Sequence, residues 1–224
     1  MIIGNGVLAR ALQQIDDDSL LLFASGVSNS LETREEEFTR ELTLLQATIR
    51  KYPEKKLVYF STSSVHDSSK QTTPYVLHKL NMENFILKNH PNFVIFRVGN
   101  AIGSGGNPNT LLNFLSNQIK MNKQFPLYSK ARRPLIDVDD IAGIVQRYRD
   151  QFHNEITNIS YPYQYSLKEI ISAIEKQLNL TAIYEEVPKG DSYHITFTRD
   201  IEHYFKEKEP GEYLQHIVSK YIRT

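Results

Sequence analysis

Two side chains four residues apart, Tyr75 and Lys79, are the first candidates for chemistry in this chain. Pro74 suits the first position of a helix, so Tyr75 and Lys79 fall on one helical face, within reach of each other. An ammonium that close favours the ionised phenol, which makes Tyr75 a candidate proton carrier near neutral pH. Many solvated helix faces carry such a pair by chance. What gives this one weight is the stretch upstream, where Leu57-Val58-Tyr59-Phe60 runs into Ser61-Thr62-Ser63-Ser64-Val65-His66. A run of β-branched and aromatic residues ending in hydroxyls reads as a buried strand whose carboxyl end stops in a polar pocket.

A second pattern lies at the start. Met1 to Leu12 read as a very short strand, a glycine turn and a helix, and Gly4, Gly6 and Ala9 fit the G-x-G-x-x-G/A pattern. Such a turn brings backbone amides and a helix start up to a pyrophosphate, with Val7 and Leu8 supplying the first amides; the bland alternative is a tight turn with no ligand. Asp16-Asp17-Asp18 is a turn, and Ser19 to Ser25 the next buried strand. An ordinary dinucleotide fold carries a carboxylate at that strand end for the adenosine ribose. Here Ser25, Gly26, Ser28, Asn29 and Ser30 stand instead.

The elements that must position these groups follow from periodicity. Glu32 to Lys51 form a long helix with Phe38, Leu42, Leu45 and Ile49 on one stripe. Phe93 to Asn100 is a strand leading into the glycine-rich Ala101 to Pro108, and Thr110 to Met121 a helix. Lys130 to Ile141 holds a basic cluster, with Asp140 expected to cap a helix from Ile141 to Tyr148. Ile156 to Ser160 is a short strand, and Ser166-Leu167-Lys168-Glu169 a capping box opening a helix to Leu178. The segment from Thr181 to Thr224 holds one strand, a Thr198-Arg199-Asp200 turn and a final helix from Gly211 to Tyr221.

Taken together, the strand end and the Tyr-Lys helix resemble the Thr/Ser-Tyr-Lys set of the short-chain dehydrogenase/reductase superfamily, in its extended branch of sugar-nucleotide epimerases, dehydratases and reductases. The resemblance puts Thr62, three residues before Val65, at the catalytic Ser/Thr; His66 and Asp67 depart from the family's usual Tyr-Gly. It implies that Tyr75 exchanges the proton of a sugar hydroxyl, Thr62 hydrogen-bonds the same oxygen, and Lys79 holds the nicotinamide ribose. It implies a dinucleotide, NAD or NADP, along Gly4, Gly6, Val7, Leu8, Ala9, Ala24, Ser25 and Gly26. Ser63, His66, Asn100 of an Arg-x-x-Asn-x-x-Gly segment, and Arg133 of an Arg-x-Phe-Ile-x-Val-x-Asp-Val-like segment become substrate-binding candidates, Arg133 for a diphosphate. Ser63-Ser64 replace the Asp-Glu pair of 4,6-dehydratases and cannot protonate a leaving hydroxyl. Phe23-Ala24-Ser25-Gly26 looks like the end of the family's fourth strand, so its second and third strands are missing between Leu12 and Ser19.

The expected fold is therefore α/β: a truncated Rossmann-like parallel sheet with helices on both faces, residues 1–160, with a substrate-lobe insertion around 104–136. Residues 161–224 form a small dependent C-terminal substrate lobe. The expected function is an NAD(P)-dependent epimerase or keto-reductase on a nucleotide-linked sugar. The alternative is a non-catalytic sugar-nucleotide- or partner-binding relative that has lost its cofactor, and the missing ribose carboxylate leaves cofactor binding weak. In the family the Glu32 to Lys51 and Tyr75 helices form a dimer interface, so a homodimer is expected; a helix packed on its own sheet explains the stripe equally well.

Composition narrows the partners. Lys plus Arg equals Asp plus Glu at 26 each, so no global field draws nucleic acid or an anionic membrane. The absence of cysteine excludes disulfides, thiol catalysis and Cys-ligated zinc, and the seven histidines show no metal-ligand spacing. No apolar run approaches the roughly 18 residues of a membrane span, and no signal-peptide pattern is seen, so cytoplasm is the expected location.

Overall fold

Side chains of a strand alternate between two faces, and where both sets are apolar the strand needs cover on both sides. That is the case for the central strands of the computed structural model, which describes residues 1–15 and 17–223. Asp16 of the expected acidic turn and Thr224 at the end of the expected C-terminal segment lie outside the described residues.

The elements run β1 Ile2–Ile3, α1 Val7–Leu12, β2 Leu20–Phe23, α2 Glu35–Lys51, β3 Lys56–Thr62, a 3-10 turn Ser63–His66, and α3 Pro74–Asn89. They continue with β4 Phe93–Val98, β5 Asn100–Ile102, α4 Leu111–Lys120, β6 Phe125–Tyr128, β7 Arg132–Asp137, α5 Val138–Tyr148 and β8 Glu155–Ile159. The lobe completes the chain with β9 Gln164–Ser166, α6 Leu167–Leu178, β10 Tyr184–Val187, α7 Arg199–Phe205 and α8 Pro210–Tyr221. The main sheet is wholly parallel in the order β1-β2-β3-β4-β8. β1 is its edge strand and β2 its neighbour, as the missing second and third strands require.

Leu20, Leu22, Val58, Phe60, Val94 and Phe96 face the larger core, shared with Leu12 of α1 and with Ile141, Ile144 and Val145 of α5. Leu21, Phe23, Leu57, Tyr59, Phe93 and Ile95 face the other side, against Leu45 and Ile49 of α2 and Met82 and Ile86 of α3. The result is a helix-sheet-helix sandwich. Two small sheets, β5-β7-β9 and β10-β6, stand beside it.

Helix starts follow local signals. Thr73 accepts from the Val76 amide at 3.4 Å with Pro74 behind it, and Ser166 with Glu169 makes the expected capping box. Two expectations are corrected. Thr198-Arg199-Asp200 is the start of α7, with Thr198 as its N-cap residue, because Ile201 and Phe205 supply an apolar face that reaches the main core. The cap of α5 is Asp137, which accepts from the Asp139 amide at 2.9 Å, so the helix begins three residues earlier than expected.

Asp140, freed from capping, faces the lobe instead. It accepts from Tyr204 at 3.2 Å, Lys208 at 2.6 Å and Tyr213 at 2.7 Å, while Tyr161 stacks on Tyr213 with centroids 4.2 Å apart. Asp137 likewise accepts from Lys220 at 2.7 Å and Tyr221 at 2.5 Å. The first turn of α5 thereby anchors α7 and α8. Asp140→Ala removes the acceptor of two phenols and one ammonium and should lower unfolding stability by about 2–4 kcal/mol. A urea midpoint within error of wild type rejects this account of how the lobe is docked.

Candidate active site

In a parallel sheet every strand's carboxyl end opens on the same edge, where ligands of such folds lie. Four adjacent strands deliver the candidate residues there: Gly4 and Gly6 after β1, Ala24 to Gly26 after β2, Thr62 and Ser63 at the end of β3, and Asn100 just beyond β4. α3 packs on β3 and on the 3-10 turn, and its buried face carries Tyr75, Val76, His78, Lys79, Met82 and Glu83.

At the first turn, Gly4 has φ +130°, and a Cβ there would lie 2.5 Å from the Ala24 carbonyl oxygen; only glycine fits. Gly6 caps α1, and a Cβ on it would meet nothing within 4 Å, so the turn is open at that point. Val7 packs against Gly103 and Gly106, and Arg10 donates to the carbonyls of Asn5 at 3.1 Å and Ser104 at 2.9 Å. The glycine-rich loop after β5 thus lies across the turn. Leu8 packs against the larger core, Ala9 is buried, and Ser25 accepts from Arg40.

Thr62 is buried, and its hydroxyl caps the 3-10 turn, accepting from the Ser64 amide at 3.1 Å. The Tyr75 ring sits in a small apolar cluster with Val27, Phe38 and Val76. Lys79 is 2% exposed, and its ammonium donates to Glu41 Oε1 at 2.9 Å and to the Tyr59 hydroxyl at 3.2 Å. Glu41, wholly buried on α2, also accepts from Tyr59 at 2.5 Å, from His78 at 2.9 Å and from the Val27 amide at 2.7 Å. His78 in turn stacks on Phe38 at 4.6 Å. Burial alone would raise the Glu41 carboxyl, but the Lys79 charge and the His78, Tyr59 and Val27 bonds outweigh it and hold it below the usual carboxylate range. Burial and the Glu41 charge push the Tyr59 phenol well up, so it stays a neutral donor.

This cluster escaped sequence reading. The buried stripe of α2 is Phe38, Glu41, Leu45, Thr48 and Ile49, and Leu42 is only partly covered. A signal existed: Glu41 stands three residues after Phe38 and four before Leu45, at a core position of the helical period.

The remaining candidates form a wall made by the turn after β3, the start of β7 and the segment 191–196. Ser63 is buried beside the Tyr193 hydroxyl, and burial raises that phenol. Arg133 donates to the carbonyls of Arg132 at 2.8 Å and Asp191 at 3.1 Å. Lys70 lies near it, lowered from the usual lysine range by burial and by the Arg133 charge, with Asp67 4.0 Å away. His66 bonds Asn158 at 2.8 Å, which holds the Thr196 carbonyl, and Asn100 donates to the Pro134 carbonyl at 3.0 Å. His66 and Asn100 therefore brace neighbouring segments. Lys70 and Tyr193 are additions to the sequence reading.

The pH dependence of the Glu41 cluster has a definite sign. A carboxyl depressed in the folded state contributes stability that is full above its unfolded value, near 4.5, and is lost as pH falls through the folded value. The stability difference between wild type and Glu41→Gln should be constant above about pH 5.5 and shrink as pH falls below about 4.5. Thermal melts showing a pH-independent difference down to acid unfolding would remove Glu41 as an ionised group.

The family model for the NAD dependent epimerase/dehydratase family matches residues 4–160. No curated protein matches the chain. Among solved structures, the dTDP-glucose 4,6-dehydratase of Bacillus anthracis is similar at 18% identity and TM-score 0.70, over 90% of this chain and 71% of that one. The UDP-glucose 4-epimerase of Thermus thermophilus aligns at 15% identity and TM-score 0.69, over 90% and 77%. The Bordetella bronchiseptica enzyme WbmH aligns at 19% identity and TM-score 0.68, over 96% and 78%. At these identities the structures speak for the fold. The family match covers most of the chain, from the glycine turn to the end of the last strand of the main sheet, and the chain belongs to the NAD dependent epimerase/dehydratase family.

Proposed function

We propose that this chain is a nicotinamide-dinucleotide-dependent enzyme acting on a nucleotide-linked sugar, as an epimerase or keto-reductase. The observation that carries the reading is the family match over residues 4–160 together with motif residues at the carboxyl ends of four adjacent strands. Similar solved structures are complexes with NAD or NADPH, and one holds UDP-glucose.

The residues present fit a dinucleotide in part. Open space over Gly6 suits a pyrophosphate against the Val7 and Leu8 amides, and Ala24 to Gly26 border the next strand end. The Ser25 to Ser30 turn holds no carboxylate for the adenosine ribose and no arginine of its own for a 2′-phosphate, and Arg40 of α2 reaches Ser25, so the sequence of the turn gives no basis for choosing between NAD and NADP. When bound, the nicotinamide supplies hydride acceptance and return. Tyr75 gives or takes the proton of the sugar hydroxyl, and Thr62 hydrogen-bonds the same oxygen. Arg133, with Lys70 beside it, meets the diphosphate, and Ser63 and Tyr193 border the sugar. Ser63-Ser64 supply no acid for a leaving hydroxyl, which argues against 4,6-dehydration.

A second reading, a binding relative without turnover, is favoured by one observation: Lys79 is already bonded to Glu41 and Tyr59. The two readings separate on Tyr75. With UDP-glucose and related sugar nucleotides as substrates, Tyr75→Phe should cut turnover by about a hundredfold or more while NAD affinity measured by calorimetry stays within about twofold. Unchanged turnover places the chemistry elsewhere, and no turnover by wild type with binding intact selects the second reading.

Assembly is part of the proposal. Leu77 and Leu87 on α3 are each 47% exposed, and the outer face of α2 presents Thr39, Thr43, Leu44 and Ala47. A two-fold dimer through these helices, burying about 800 Å² per partner, would cover them. Light scattering should return twice 25.9 kDa, and a monomer mass at high concentration rejects the dimer.

A further inference from the structure

Lys79 and Glu41 form a buried ion pair: their side chains are 2% and 0% exposed. Each Glu41 oxygen accepts two hydrogen bonds, so the carboxylate is satisfied by Lys79, Tyr59, His78 and the Val27 amide together. The pair is closed from outside by the loop after β2. A Cβ on Gly26 would lie 2.6 Å from the Lys79 ammonium nitrogen and 3.0 Å from Glu41 Oε1, so the loop rests directly on both groups.

Two consequences follow from charge and geometry. An ammonium exerts a field on a nearby phenol or ligand only to the extent that its charge is uncompensated, and a carboxylate 2.9 Å away compensates it. A donor already committed to two buried acceptors has to break those bonds before it serves a ligand. Lys79 is thus withdrawn both from Tyr75 and from whatever lies over the β2 loop.

We propose that Glu41 is a positioning residue that holds Lys79 inside the wall of the site, so that a dinucleotide binds without an ammonium contact. The inference rests on the reading that a dinucleotide lies along the Gly4 to Gly6 turn, and it adds a residue that sets how tightly. Gly26 brings no side chain over the ammonium, so neutralising the carboxylate lets the lysine turn outward past the loop. Glu41 then controls affinity from a helix on which no ligand contact has been assigned.

Calorimetric titration of the full chain with NAD, and separately NADP, tests this. Glu41→Gln, confirmed folded by circular dichroism, should bind at least about fivefold more tightly than wild type, since a freed ammonium adds a charge-assisted hydrogen bond. Adding Lys79→Met to Glu41→Gln should abolish the gain. A purely structural Glu41 would lower the melting temperature without raising affinity. Unchanged or weaker binding by folded Glu41→Gln overturns the proposal and leaves the dinucleotide reading standing, provided wild type binds. Absence of binding in every variant up to millimolar ligand overturns both. If Glu41→Gln does not fold, the paired exchange of Glu41→Leu with Lys79→Met removes both charges at once. Affinity within about twofold of wild type supports the proposal, and a tenfold loss, showing that Lys79 already touches the ligand, overturns it.

Discussion

A buried carboxylate must have its lone pairs answered, or the structure that buries it comes apart. Glu41 meets that demand with donors from three further segments: Val27 in the loop after β2, Tyr59 on β3, and His78 and Lys79 on α3. Because Glu41 itself sits on α2, one side chain fixes the relative placement of two helices, a strand and a loop on one face of the sheet. The apolar contacts of that face, Leu45 and Ile49 against Leu57, Met82 and Ile86, are nondirectional. Hydrogen bonds to Glu41 supply the register that apolar contact does not.

A second polar tie works in the same layer. Glu83, one turn beyond Lys79, accepts from Ser61 at 2.5 Å and takes Arg97 in a two-point contact at 3.0 and 2.6 Å. α3 is therefore held to β3 and β4 as well as to α2. This matters for function, because α3 carries Tyr75 and the ends of β3 and β4 carry Thr62 and Asn100. The groups of the proposed reaction inherit their precision from side chains that take no part in it.

The shortness of the sheet at the β1 edge shapes the other half of the site. β1 has two residues and pairs only with β2, and a strand that short offers little edge for further pairing. With no strand beyond it among the described residues, the glycine turn that follows is bordered on one side by β2 and on another by the loop carrying Gly103 and Gly106. Toward the β8 side of the sheet the segment 191–196 is held by bonds to Arg133, Asn158 and Gln164. The lobe that delivers it is anchored by aromatic stacking and by Asp137 and Asp140 at the start of α5.

By itself the sequence determined the α/β class, the succession of strands and helices along the chain and the capping box at Ser166, because each rests on local periodicity or on a residue with a special backbone role, while the strands missing before Ser19 were read from the family resemblance. Gly4 is legible since only glycine takes its φ, and Ser166 with Glu169 since a cap is made within one turn. That Tyr75 and Lys79 share one helix was legible from Pro74 and their spacing, whereas Thr62 was singled out by the family resemblance. What Lys79 touches was not legible. Its partners Glu41 and Tyr59 are 38 and 20 residues away, and only the packing of α2, β3 and α3 brings them to one point. The same holds for Asp140, whose place after a basic cluster suggests a cap, while its bonds to Tyr204 and Tyr213 span 64 and 73 residues. Hydrogen-bond partners distant in sequence are chosen by tertiary packing, and in this protein those choices decide whether a lysine of familiar spacing faces a ligand or a carboxylate.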